Sequence, residues 1–221
     1  MIIVVGGIKG GSGKTTIATN LAVVRARSGA KVLLVDADEQ RSASDWAQQR
    51  VSWGIEDSLT SIQLSGRGLY SQVQKMGADY DDVILDVGGR DTTSQRSALT
   101  VADLFLIPFK PRSLDIWTMG AVKAMINEIK AVNEQLMCVA LINQADSRGS
   151  DNDDALGVLR ETAEINCYPG SVGHRKVFGN AAAEGLGVVE LKEQDKKANQ
   201  EIQQLYEYVF HEVFAQKAST V

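Results

Sequence analysis

The chain has 221 residues, 44% of them hydrophobic and 23% charged, with a formal net charge of −5. Such length allows one large domain over residues 1–221 or two small ones, α/β domains often reach this size undivided, and the apolar content is enough for a substantial core, while the acidic balance excludes a surface built throughout for nucleic acid and leaves DNA binding to a local patch. No run approaches the ~18 consecutive apolar residues of a membrane span, no basic leader precedes the apolar start, and Cys138 and Cys167 are too few for a disulfide framework or a metal site. An unexported, cytoplasmic protein with buried thiols is expected.

In chain order, Ile2-Ile3-Val4-Val5 reads as a buried strand. A glycine-rich loop, Gly6 to Thr16, follows it, and the spacing of Ile17, Leu21 and Val24 predicts a helix to Arg27. Val32 to Asp36 is a second apolar strand, as a parallel sheet covered on both faces requires. Ser42 to Arg50 reads as a helix with Trp46 as its inward anchor, Ile62 to Leu64 as a short strand, and Gly68 to Met76 as a helix. Val83 to Val87 repeats the strand that ends in a carboxylate, and Leu104–Pro108 and Met137–Asn143 add two more strands. Asp115 to Asn133 is a long helix whose methionines fill the core. Asp146 to Asp154 reads as a solvated loop. The final helix, Lys196 to Ala215, carries the stripe Ile202, Leu205, Val209, Phe210, Val213 and Phe214. Alternation of strands and helices predicts right-handed crossovers and one doubly wound, mostly parallel sheet.

Strand, glycine loop and helix stand in the order of a phosphate cradle. The glycines let backbone N–H groups face phosphate oxygens, the helix start adds its dipole, Lys14 supplies a point charge, and Thr15 offers a hydroxyl to Mg²⁺. The loop departs from G-x-x-x-x-G-K-[ST], because Ile8 occupies the first glycine position and a second lysine, Lys9, stands before Gly10. Lys9-Gly10-Gly11-Ser12-Gly13-Lys14-Thr15-Thr16 resembles the deviant Walker A box, K-G-G-x-G-K-[ST], of the ParA/MinD superfamily of P-loop ATPases.

The resemblance implies that Gly10 to Thr16 bind ATP, that Lys14 serves the subunit's own phosphates, and that Lys9 crosses a dimer interface to those of the partner. Asp36-Ala37-Asp38-Glu39-Gln40 resembles the family switch D-x-D-P-Q, with Glu39 in place of proline. By that match Asp38 orients the attacking water and Asp36 lies near the metal. Asp86 occupies the Walker B position and would hold Mg²⁺ through water; Asp86-Val87-Gly88-Gly89-Arg90-Asp91 departs from the usual D-T-P-P-G. Asn143-Gln144-Ala145-Asp146 is similar to the guanine-reading N-K-x-D, yet Gln144 replaces the lysine, and the resemblance favours adenine with Asn143 as its contact.

Arg175-Lys176-Val177-Phe178, followed by Gly185, Val188 and Glu190, resembles the ParA pattern R-x-x-F…G-x-x-V-x-E. The chain starts at its first strand, which matches the small ParA type without an N-terminal helix-turn-helix. The last helix carries Glu201, Glu207 and Glu212 on its polar side, with Lys217 beyond, so packing explains it better than an anionic membrane does. The implied protein is an ATPase that dimerises on ATP, binds DNA non-specifically, associates with the nucleoid, and is stimulated by a ParB-like partner to partition DNA. Arg175, Lys176, Lys192, Lys196 and Lys197 are the candidate DNA contacts. The alternatives are the same engine working on another cargo or on the division machinery, and a phosphotransferase of the dethiobiotin or cobyrinate synthetase type. A nitrogenase iron-protein type is disfavoured, because neither cysteine sits where a cluster would need it.

Overall fold

A computed structural model describes residues 1–55, 58–89, 92–111, 116–148, 150–161 and 164–215. Seven strands form one sheet: β1 (Ile2–Val5), β2 (Val32–Ala37), β3 (Leu59–Gln63), β4 (Asp82–Val87), β5 (Leu104–Phe109), β6 (Met137–Ala145) and β7 (Asn166–Gly173). Their order across the sheet is β3-β2-β4-β1-β5-β6-β7, and every pairing is parallel. The helices are α1 (Lys14–Arg27), α2 (Ser42–Ser52), α3 (Leu69–Gly77), α4 (Thr93–Leu99), α5 (Ile116–Lys130), α6 (Asp151–Arg160), α7 (Lys176–Ala183) and α8 (Lys196–Glu207).

Alternation within the strands explains the two layers of helices. Ile3, Val5, Val32 and Leu34 point into a core shared with α1, α2, α7 and α8, while Val4, Leu33, Val35 and Ala37 point into a second core under α3, α4, α5 and α6. Both faces are buried, so the strands read as continuous apolar runs. Met119 and Met125 fill the second core. Cys138 is buried there too, and burial pushes its thiol up to about 11; Cys167 is half-buried.

The stripe on the last helix docks as the spacing predicts, with Ile202, Leu205, Val209, Phe210 and Val213 in the first core. From Tyr208 to Val213 the helix widens into π-helical turns, so the predicted single helix changes its winding half-way. No helix among the described residues is long and apolar enough to cross a membrane.

Several local readings need correction. The acidic run at 151–154 belongs to α6: Asp151, Asp153 and Asp154 occupy its first turn, where carboxylates face the positive end of the helix dipole. Ala155 and Leu159, four residues apart, bury its inner side. Strand β3 begins earlier than expected, at Leu59, and the short helices α4 and α7 were not foreseen. Asp115, Arg90 and Asp91 lie outside the described residues.

Candidate active site

The register fixes the site before any side chain is considered. Val5 pairs with Asp86, and Asp86 pairs with Asp36, so the C-terminal ends of β1, β4 and β2 lie side by side. In an open α/β sheet that edge, where the chain order reverses, is where ligands bind. A cleft of about 1020 Å³ opens there, walled by the glycine loop and the start of α1, by Ala37 to Gln40, by Gly88 and Gly89, and by Trp46 and Ala182 on its far side.

The glycine loop has the form a phosphate needs. Gly13 immediately precedes α1 with φ at 83°, a left-handed conformation that opens the helix start, and a Cβ there would collide with Asn143 Nδ2. Asn143 is buried beneath the loop and its Nδ2 donates to Ser12 O at 2.7 Å. Gln144 Nε2 donates to Gly11 O at 3.2 Å from a backbone with φ at 55°. The strand end named for base recognition therefore braces the loop from below, and of the two amides it is Gln144 that reaches the cleft wall.

Lys14 is buried, and its Nζ donates to Lys9 O at 3.2 Å. Burial lowers its pKa while Asp86 and Asp38 pull it back up. Lys9 is exposed, and its neighbour Gly10 takes a backbone contact from the second switch: a Cβ on Gly89 would stand 2.7 Å from Gly10 N and Cα. The absence of a side chain on Gly89 is what allows this approach. A third lysine, Lys110 after β5, reaches the same corner, with Nζ 3.6 Å from where a Cβ on Gly11 would lie.

The carboxylates divide into two kinds. Asp36 accepts Asp38 N at 3.1 Å and Ser44 N at 2.7 Å, so both oxygens hold the first switch and the start of α2. Asp38 is half-buried on the cleft wall, held by Gln40 N on Oδ1 at 3.0 Å, and a Cβ on Gly88 would meet it at 3.4 Å. Asp86 accepts Thr15 Oγ1–H on Oδ2 at 2.6 Å, while its buried Oδ1 has no partner among the described residues. Burial pushes the Asp86 carboxyl up to about 7, with Asp36 and Asp38 adding to the shift and Thr15 and Lys14 opposing it. A buried carboxylate oxygen left open beside a threonine hydroxyl, under a glycine cradle, fits a hydrated divalent cation on a polyphosphate. Thr15 and Asp86 are thus together; Asp36 stands beside them with its oxygens turned onto the switch backbone.

The pattern of the CobQ/CobB/MinD/ParA nucleotide binding domain matches residues 3–189. The chain belongs to this family. Among curated members, maintenance of carboxysome distribution protein A from Halothiobacillus neapolitanus is 30% identical over 207 residues, 92% of this chain and 93% of that one. Chromosome-partitioning ATPase Soj from Thermus thermophilus is 28% identical over 161 residues, 61% of this chain and 65% of that protein. Of solved folds, an ATP complex of a Cyanothece McdA variant superposes with a TM-score of 0.77 at 16% identity, covering 97% of this chain and 96% of that one. Cobyrinic acid a,c-diamide synthase from Mycobacterium smegmatis, with ATP analogue and magnesium, gives 0.74 at 19%, covering 95% of each chain.

Within this ParA/MinD-type fold the candidate DNA cations separate. Arg175 is engaged by Glu201, at 2.5 Å through Nη2 and 3.2 Å through Nε, so its charge is largely neutralised within the fold. Lys176, Lys192, Lys196 and Lys197 are exposed, the last three around the Asp195 cap of α8. Gln95 escaped the sequence reading: buried on α4, it accepts Gly7 N at 3.0 Å and donates to Met125 Sδ at 3.1 Å, tying the loop entrance to the helix after the second switch. It lies in the polar run Thr92–Gln95, where no periodicity marks a buried amide. The same holds for Arg50, whose fork meets Glu190 at 2.8 and 2.7 Å.

Proposed function

We propose that this chain is an ATP hydrolase of the partition and positioning kind, with residues 1–221 working as one domain. ATP joins two copies, the loaded dimer binds DNA without sequence preference, and hydrolysis stimulated by a ParB-like partner releases it, so a cargo on the nucleoid is moved or spaced. The reading rests on one contrast: Lys14 is buried under the cradle whereas Lys9 is exposed at its rim. An exposed lysine at the rim lies on the side that a second copy would approach, which supports a role toward that copy's phosphates, whereas one in the cradle serves its own.

Gly10 to Thr16 and Lys14 would hold the phosphates, and Thr15 and Asp86 the Mg²⁺. An ion held there would supply neutralisation of charge on the nucleotide phosphates. Asp38 would orient a water toward the γ-phosphate, a role supported by its position on the cleft wall and its hydrogen bond from Gln40 N. Lys14 compensates charge on the same subunit, and Lys9 acts in the manner of an arginine finger supplied in trans, a contribution of ~10³–10⁵ in rate.

As to cargo, a protein named for carboxysome distribution aligns along nearly the whole of this chain, which supports a protein assembly as a second reading beside plasmid or chromosomal DNA. The test is the pair Lys9→Ala and Lys14→Ala. Lys14→Ala should lose tight ATP binding; Lys9→Ala should bind ATP, remain monomeric in sedimentation and lose turnover. A Lys9→Ala protein that dimerises and hydrolyses ATP normally would remove the role of Lys9 across the dimer, and a wild-type protein that stays monomeric with ATP would favour a phosphotransferase.

A further inference from the structure

Helix α2 is held at both ends by groups far apart in sequence. At its start Asp36 accepts Ser44 N, and Arg41 N donates to Asp38 O at 3.1 Å, so the helix begins at Ser42, four residues beyond Asp38. Towards its end the buried Arg50 places a two-pronged fork on Glu190, and Nη1 also donates to Gly185 O at 3.0 Å. Trp46, one turn earlier and under the Arg50 guanidinium, donates from Nε1 to Leu186 O at 3.2 Å.

The segment that receives these bonds is itself fixed to the phosphate-binding helix. Glu190 Oε2 accepts Gly187 N at 2.8 Å, Val188 N donates to Asn20 Oδ1 at 2.8 Å, and Asn20 Nδ2 donates to Thr16 O at 2.8 Å. From Thr16 to Asp38 there is thus an unbroken line of directional contacts through Asn20, the 185–190 segment, Arg50 and α2.

We propose that Arg50 and Glu190 are positioning residues for hydrolysis, their buried fork fixing α2 against the 185–190 segment so that Asp38 is held in register with the phosphates bound by α1. The inference rests on Asp38 orienting the water. An 11-residue helix is ~16 Å long. A tilt of ~4° about the Arg50 end therefore moves the Asp38 end by ~1 Å, and displacements of that size cost up to ~10²-fold in rate. An arginine is required rather than a lysine, because only the planar fork meets both carboxylate oxygens at once and fixes an angle as well as a distance.

The test compares Arg50→Lys, Glu190→Gln and the apolar double variant Arg50→Met with Glu190→Leu, recording Tm and, well below every Tm, kcat and KM for ATP. All three are expected to keep KM within about twofold and lose kcat by about 10- to 100-fold. The double variant should regain Tm relative to the single ones, because apolar replacement of a buried pair is commonly neutral, without regaining kcat. Turnover that returns together with Tm, or wild-type kcat in folded Glu190→Gln, would make the pair purely structural. If the double variant does not fold, kcat of the two single variants decides. Asp38→Ala is measured alongside: wild-type turnover in it removes the water-orienting reading, whereas an inactive Asp38→Ala beside active fork variants removes only the present inference.

Discussion

Replacing Asp86 by Asn should make the nucleotide-free protein more stable and useless. The carboxyl titrates at about 7 in the fold against an ordinary 3.8, chiefly because it is buried. Between pH ~4 and ~7 the folded chain keeps a proton that the unfolded chain has released, so stability falls as pH rises through that window and is fully reduced above it. At 1.36 kcal/mol for each pH unit between the two values, the penalty at pH 8 is about 4 kcal/mol. Asparagine cannot ionise and still offers an oxygen to the Thr15 hydroxyl. Urea unfolding without nucleotide or Mg²⁺ should accordingly show Asp86→Asn more stable than wild type by about 4 kcal/mol at pH 8, a gap shrinking below about 2 kcal/mol at pH 5. The same variant should lose Mg²⁺-dependent turnover. A variant no more stable than wild type at pH 8, or a gap unchanged by pH, would refute the claim that an ionised Asp86 is held at the expense of stability.

Gly13→Ala forces a left-handed residue into space that Asn143 occupies and should weaken ATP about tenfold or more, since such a backbone costs ~1–2 kcal/mol; unchanged affinity in a nucleotide titration would contradict it. Alanine at Lys192, Lys196 and Lys197 together should lower the slope of log affinity for DNA against log salt by roughly 0.9 for each phosphate that the variant no longer neutralises, and an unaltered slope would exclude these lysines. Under native conditions a small alkylating reagent should label half-buried Cys167 first and reach Cys138 only on unfolding, because burial holds the Cys138 thiol near about 11; mass spectrometry giving the reverse order would refute the placement.

What the sequence disclosed was whatever local chemistry announces itself. Asp36 and Asp86 each end an apolar run, and a run buried on both faces leaves little for it to be but a central parallel strand with a carboxylate at its tip. Lys9 and Lys14 bracket a turn that only glycines make. The elements that went unread are short or start with polar residues: α6 opens on three aspartates that serve its dipole yet look like loop, and α4 is polar throughout its first turn. Pairings across long separations were invisible. Arg50 and Glu190 are 140 residues apart: Arg50 looks like a solvated charge at a helix end, and the pattern that singles out Glu190 does not say what it meets. Arg175 read as a free cation for the same reason, since Glu201 reaches it only once α8 has docked beside β7.

The approach of Gly89 to Gly10 ties the spacing between the second switch and the phosphate loop to the absence of a side chain at position 89. A Cβ there would stand 2.7 Å from Gly10 N and Cα and 2.9 Å from Lys9 C, so any larger residue must push the two segments apart. The atoms it would meet are main chain, which cannot turn aside as a side chain can, and the displacement would fall on the loop at the root of Lys9.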